Sequence, residues 1–177
     1  MDARNTEHVE EAGRALSPPA SGVSHLPVPR LRSAIGHPAT DAWLFLLEHV
    51  PDDDAVIAYG RSRNDWLGWT KRLANDSRWR SYGYERDSLG RLRRAVRHLE
   101  KIGLVEDFHD ATTGAHGALV RGAAFYRDSS SHQIAVIPTR IASWVDERTR
   151  TKSAEAAARY QRSQTRKRLT VIRGGAA

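Results

Sequence analysis

The sequence predicts a mainly α-helical domain that carries one small β-hairpin and is followed by a helical extension. Three observations predict it. Leu89, Leu92, Val96, Leu99 and Ile102 recur at spacings of 3, 4, 3 and 3, the period of an amphipathic helix. Two β-rich runs, 104–109 and 117–126, flank a turn at Thr112, Thr113 and Gly114, the pattern of a hairpin. The stretch Ala42-Trp-Leu-Phe-Leu-Leu47 is apolar nearly all round, which marks a central core helix. A chain of 177 residues with 40% apolar content has room for one such core.

The elements follow in order. Residues 1–36 read as a flexible arm, because Pro18, Pro19, Pro27 and Pro29 crowd a short span with no lasting apolar period. The folded region, 37–127, is expected to open with a helix from Pro38 to His49. Pro38 suits a first helical turn, and Thr40 and Asp41 are natural caps. Pro51 and the run Asp52, Asp53, Asp54 stop this helix, and 55–59 reads as a short strand that joins the hairpin. Asn64 and Asp65 cap a second helix over about 65–75, with Trp66, Trp69 and Leu73 on one side. Residues 76–86 form a connector. Asp87 or Ser88 caps the third helix, and Gly103 is placed to end it in a left-handed turn. After a serine-rich break at 129–131, 133–137 reads as a strand. Thr139 then caps a helix bearing Ile141, Ala142, Trp144 and Val145. The segment 128–150 is expected to pack on the core or to form a dimer contact, and 151–177 to be a basic helix or tail.

Charge is distributed unevenly. The chain has a net charge of +7 and an isoelectric point near 10.2, which suggests a polyanionic partner. Residues 1–60 carry 4 basic and 9 acidic side chains, 61–103 carry 12 and 5, 104–148 carry 4 and 6, and 149–177 carry 8 and 1. The basic excess therefore sits in two blocks, a segregation that favours a nucleic-acid surface over an evenly solvated one. Arg outnumbers Lys 24 to 4, and Arg is the better fork for phosphates and guanine edges.

Other classes find little support. With no Cys there is no disulfide, thiolate metal site or thiol nucleophile. The longest apolar run is far too short to span a bilayer, and no secretory signal is visible. A cytoplasmic protein without a membrane partner is expected. Walker A, dinucleotide-turn, HExxH and GxSxG motifs are all missing, so neither an enzyme nor a cofactor is expected. His109, Asp110 and His116 lie near the hairpin turn but lack metal-ligand spacing.

On a helical wheel the third helix has an apolar side and an opposite side bearing Arg91, Arg94, Arg97, His98 and Lys101, with Arg93 flanking. No acid lies between Ser88 and Leu99, whereas a merely solvated face usually mixes its signs. Gly90 weakens the helix by about 1 kcal/mol relative to Ala and leaves room for a close backbone approach. The N-terminal half of such a helix reaches base edges, which singles out Ser88, Arg91 and Arg94 for reading. Arg97, His98 and Lys101 then suit phosphates. In the connector, Arg78, Arg80, Arg86 and Tyr82 are candidate DNA contacts, while Trp79 is expected in the core. His116 is the one cation of the hairpin loop. The C-terminal block with Arg159, Arg162, Arg166, Lys167 and Arg168 reads equally well as a second phosphate clamp and as a solvated helix end.

The segment Arg93-Arg-Ala-Val-Arg-His-Leu-Glu-Lys-Ile-Gly-Leu-Val105 resembles the recognition-helix exit of the winged-helix DNA-binding superfamily. It is similar to small prokaryotic transcription regulators and to DNA-binding modules of plasmid and phage replication proteins. The Leu-Glu-Lys-x-Gly-Leu-Val phrase carries the resemblance, which covers about 38–126. It implies a winged helix-turn-helix domain with a C-terminal helical extension, the hairpin being the wing. One departure stands out. The connector has about eleven residues, where a helix-turn-helix turn has three or four, so either the second helix is longer or an insertion follows it. The expected function is sequence-specific binding of double-stranded DNA in transcription regulation, with a homodimer open. Plasmid or phage replication or partition is the alternative within DNA binding. RNA binding on the same basic surface is the alternative of another class.

Overall fold

A computed structural model describes residues 22–50, 56–60, 65–126 and 133–174. The first 21 residues of the expected arm, the aspartate run at 52–54 and the serines at 129–131 lie outside the described residues. The chain is mixed α/β, with two small antiparallel sheets among its helices. In order the elements are β1 (Val23–Pro27), α1 (Val28–Ile35), α2 (His37–Leu47), β2 (Val56–Gly60), α3 (Asp65–Ala74) and α4 (Ser77–Ser81). There follow α5 (Ser88–Ile102), β3 (Val105–His109), β4 (His116–Val120), β5 (Ala123–Tyr126), β6 (Gln133–Pro138) and α6 (Thr139–Gly174). Among the described residues, no helix is long and apolar enough to cross a membrane.

The first sheet has the order β2-β4-β3. The strand expected at 55–59 joins the hairpin, with Val56 opposite Leu119 and Ile57 opposite Ala118. The second sheet has the order β1-β6-β5, and it corrects two expectations. Residues 117–126 are not one strand, since the chain breaks at Arg121 and Gly122 and crosses from the first sheet to the second. Gly122 has φ +94°, and a Cβ there would collide with the Val136 carbonyl oxygen. The Trp43 indole N–H donates to the Arg121 carbonyl at 2.9 Å, which pins the corner to α2.

The second correction concerns the arm. Residues 23–35 form β1 and α1, so part of the expected arm belongs to the fold, which does not open at 37. β1 pairs along β6, with Val23 opposite Pro138 and Leu26 opposite Ala135, and α1 buries Val28, Leu31, Ala34 and Ile35. The prolines that suggest an arm are compatible with this. Pro27 is the N-cap of α1 and Pro29 lies in its first turn, where a missing N–H leaves no hydrogen bond unmade.

One core serves both sheets. Trp43, Phe45 and Leu46 of α2, Trp79 of α4, and Leu92, Val96 and Leu99 of α5 are fully buried together with Leu104, Val120, Ile137 and Val145. Ala39 to Leu46 is buried without a break, in keeping with an all-round apolar helix. Leu47 is half-buried at the edge. The long connector holds an extra helix, α4, capped by the Asp76 side chain on the Arg78 N–H and plugged into the core by Trp79. The length of the connector is thus taken up by α4, while α3 ends close to the expected boundary. At the far end of α5, Gly103 adopts φ +81°, and the Leu104 N–H reaches back to the Leu99 carbonyl at 2.9 Å. That closure hands the chain directly to β3.

Leu92→Ala and Leu99→Ala should each lower stability by about 2–5 kcal/mol, and Leu47→Ala by less. Gly122→Ala should cost at least about 1–3 kcal/mol through backbone strain alone. Urea unfolding midpoints of the four variants check this ranking.

Candidate nucleic-acid interface

The site is built on α5, whose buried side (Leu92, Ala95, Val96, Leu99) packs against α2 and α3. The helical period then leaves Arg91, Arg94, Arg97 and Lys101 exposed. Gly90 serves a local purpose, for a Cβ there would run into the Asp87 carboxylate. Asp87 is the N-cap residue, in a left-handed conformation at φ 55°, but its side chain makes no cap bond. It accepts instead from the Arg94 guanidinium at 2.6 Å. That hydrogen bond, above all, holds the Asp87 carboxyl below the usual carboxylate range. Both partners are well exposed, so the pair is worth little and parts readily for a ligand.

Arg91 lies over the Tyr84 ring, 5.6 Å from its centre. Tyr84 is itself fixed, as its hydroxyl donates to the buried Asp41 carboxylate at 2.7 Å. Arg32 of α1 donates to the other oxygen of Asp41, also at 2.7 Å. Burial first, and then the bond to Asp41, push the Tyr84 hydroxyl above its ordinary range, so it stays a donor. Asp41 is therefore a buried bridge rather than the helix cap that its position suggests.

Arg91, Arg94 and His98 border a shallow groove of about 320 Å³ whose floor is Ile35, Pro38, Ala39 and Ala95. His98 is half-buried. Burial, and then the charges of Lys101, Arg148 and Lys152, hold its imidazole below the ordinary 6.5. Arg148 and Lys152 belong to α6, so a second helix brings cations to this face. Sequence reasoning missed them, since they lie some fifty residues from His98 and no local pattern joins the two segments.

The other candidates divide. Ser88 is not available for bases, because its hydroxyl donates to the Ala74 carbonyl at 2.7 Å and ties α5 to the end of α3. Arg93 flanks the face, half-buried, with its Nε enclosed and without a partner. Arg78 is exposed and pairs with Asp76 at 2.9 Å and Glu48 at 3.7 Å. Glu48 ends α2, whereas Pro38 and Ala39 begin it, about 14 Å away at 1.5 Å per residue. Arg78 thus sits at the opposite end of α2 from the α5 groove. Tyr82 lies with Glu48, lining a separate depression with Leu44, Leu47 and Tyr126, and its ring packs on Trp79. Arg80 is exposed and donates to Asn75 at 3.0 Å, and Arg86 is exposed in the turn before α5. His116 is half-buried and packs on His109 across the hairpin, ring centres 4.4 Å apart. The hairpin, Val105–Val120, carries Glu106, Asp107 and Asp110 and no Lys or Arg, so no arginine or lysine of the hairpin joins the face. Among the described residues, no group of three or more His, Asp or Glu is placed to hold a metal ion.

Comparison with protein families, with curated proteins and with solved structures finds no match for this chain.

The unfolded chain binds the His98 proton more tightly than the folded protein does, because the folded value is the lower one. The associated stability is full above about pH 6.5 and is lost as pH falls through the folded value. Unfolding midpoints for wild type and His98→Gln between pH 7.5 and 5 should show a shallower acid loss in the variant.

Proposed function

We propose that this protein binds double-stranded DNA as a winged helix-turn-helix and regulates transcription by occupying a specific site. The observation that carries the reading is the outward face of α5. Arg91, Arg94, Arg97 and Lys101 are exposed there on a helix whose other side is buried in the core, and no acid lies within the helix before Glu100. The arrangement α2–β2–α3–α5–β3–β4, with β2 paired to β4, supports the same reading, since it follows the order that the resemblance implies. In it α5 is the reading helix and β3–β4 the wing.

The division of labour follows from position. Arg91 and Arg94 lie in the N-terminal half of α5, three residues apart, and enter a major groove together. Each guanidinium can grip the O6 and N7 of a guanine, worth about 1–3 kcal/mol of discrimination. Arg94 exchanges its exposed Asp87 partner for the base. Arg97 and Lys101, nearer the C-terminal end, meet phosphates, which set register but carry no sequence information.

Arg91→Ala and Arg94→Ala should lower affinity for a selected site by about 1–3 kcal/mol and affinity for random duplex by clearly less. Arg78→Ala, at the far end of α2, should change neither. Competition titrations of each variant against selected and scrambled duplexes read this out. Unchanged specificity in the Arg91 and Arg94 variants would remove α5 as the reader.

If the four exposed cations of α5 all engage phosphates during non-specific binding, log K should fall with log salt at a slope of at least about −3.6, from −0.9 per phosphate. Salt-independent binding to duplex, or tighter binding to structured RNA, would overturn the reading. Genomic occupancy upstream of genes supports regulation, and a single cluster at an origin supports replication.

A further inference from the structure

The helix α6 has 36 residues, about 54 Å at 1.5 Å per residue. Its first turns account for its place in the core, where Ile141 and Val145 are buried and Ala142 and Trp144 pack against them. From Arg150 to Arg166 it is exposed almost throughout, with only Ala158 and Gln164 half-buried. Past Lys152 this part of the helix buries almost nothing, so the core does not account for its length. Its charge, however, is ordered. At about 100° per residue, Arg148, Lys152, Arg159, Arg162 and Arg166 fall within one arc of about 80°. Arg148 and Arg166, eighteen residues apart, lie five full turns from each other on the same line. Glu155 is the one acid on this stripe, and it stands four residues before Arg159, a spacing at which opposite charges attract along a helix.

The stripe starts beside the α5 groove. The Lys152 ammonium donates to the Ser33 and Ala34 carbonyls at 2.6 and 3.2 Å, closing the C-terminal end of α1. The next residue, Ile35, forms part of the groove floor with Arg91, Arg94 and His98 on its border. Arg148 is one turn before Lys152 on the same face, and both lie close enough to His98 to oppose its protonation. The cationic lines of α5 and α6 therefore meet at one edge.

We infer that the stripe Arg148–Arg159–Arg162–Arg166 is a second DNA-binding element, a rail that follows the duplex backbone outward from the segment held by α5. It spans about 27 Å, the length of about eight base pairs at 3.4 Å each. The rail presents guanidinium groups from an exposed helix without a scaffold to orient them on base edges. It thus adds phosphate contacts that are indifferent to sequence, lengthening the footprint and strengthening sliding and capture. This rests on the duplex-binding reading above, and its partner is the same polyanion.

The test uses the full chain, a random-sequence duplex of about 30 base pairs and the triple variant Arg159→Gln/Arg162→Gln/Arg166→Gln. Gln keeps helix propensity, and circular dichroism verifies that α6 persists. The wild type should lose about 2.7 from its salt slope on substitution, and affinity near 0.15 M salt should fall roughly a hundredfold. The ratio of specific to random affinity should stay as in wild type. An unchanged slope overturns the rail. A change in sedimentation with an unchanged slope also overturns it, by making this face a contact between two copies. A slope that falls only on structured RNA overturns it as a duplex element. The variant Arg91→Gln/Arg97→Gln, run in parallel, separates the two claims. If it weakens duplex binding while the α6 variant does not, the rail fails and the α5 reading stands. If wild type does not bind duplex at all, both fail.

Discussion

The Asp41 carboxylate is buried in α2 between the Arg32 guanidinium and the Tyr84 hydroxyl, with both bonds at 2.7 Å. Burying a carboxylate is expensive unless its oxygens are occupied, and here each oxygen has one donor from a different element. The bridge therefore joins α1, α2 and the segment that leads into α5. Tyr84 stacks near Trp79, ring centres 4.6 Å apart, and Trp79 packs on Phe45. A single charge in the middle of an apolar helix thus fixes the approach to the helix that presents the cationic face. Arg91 rests on the same tyrosine ring, so the pose of a presented guanidinium depends on the bridge as well.

Arginine serves two purposes in this chain, and tertiary pairing separates them. Arg78 pairs locally with Asp76, whereas Arg32, Arg121 and Arg140 are held by carboxylates of Asp41 and Glu106, joining separate elements. Arg30 likewise meets Asp146 of α6 at 3.0 Å. On α5, Arg91 and Arg97 face water from exposed positions, and Arg94 is exposed with only the exposed Asp87 carboxylate as its partner. A net charge of +7 does not reveal this division, since paired and presented arginines count alike in it.

The corner at Gly122 sets where the second half of the chain goes. If the hairpin strand ran on, β4 would extend past its sheet and β6 would lose the neighbour that it has in β5. The left-handed glycine turns the chain onto β6 instead, and β6 leads into α6 beside β1 and α1. A backbone conformation that side chains disfavour thus sets the turn after which β6 and α6 pack beside β1 and α1.

Periodicity determined much of the molecule by itself. The boundaries of α2, α3 and α5, the Gly103 stop, the hairpin, and the burial of Trp43, Trp79, Leu92, Val96 and Leu99 follow from local patterns, because apolar spacing and cap chemistry act over a few residues. The outward face of α5 is legible for the same reason, its cations being the remainder of the wheel. Only tertiary structure decided the rest. Prolines that signal an arm were consistent with β1 and α1 once β6 supplied a pairing edge. Ser88 and Arg78 look like ligand contacts in isolation, yet Ala74 and Asp76 take them, and no local rule chooses between a phosphate and a neighbouring acceptor. Asp41 reads as a cap until Arg32 and Tyr84 enclose it, and α6 gains its place beside α5 through partners more than a hundred residues away, Ser33 and Ala34. Local spacing determines which face a side chain occupies, whereas the long-range contacts of a folded chain decide what that face meets.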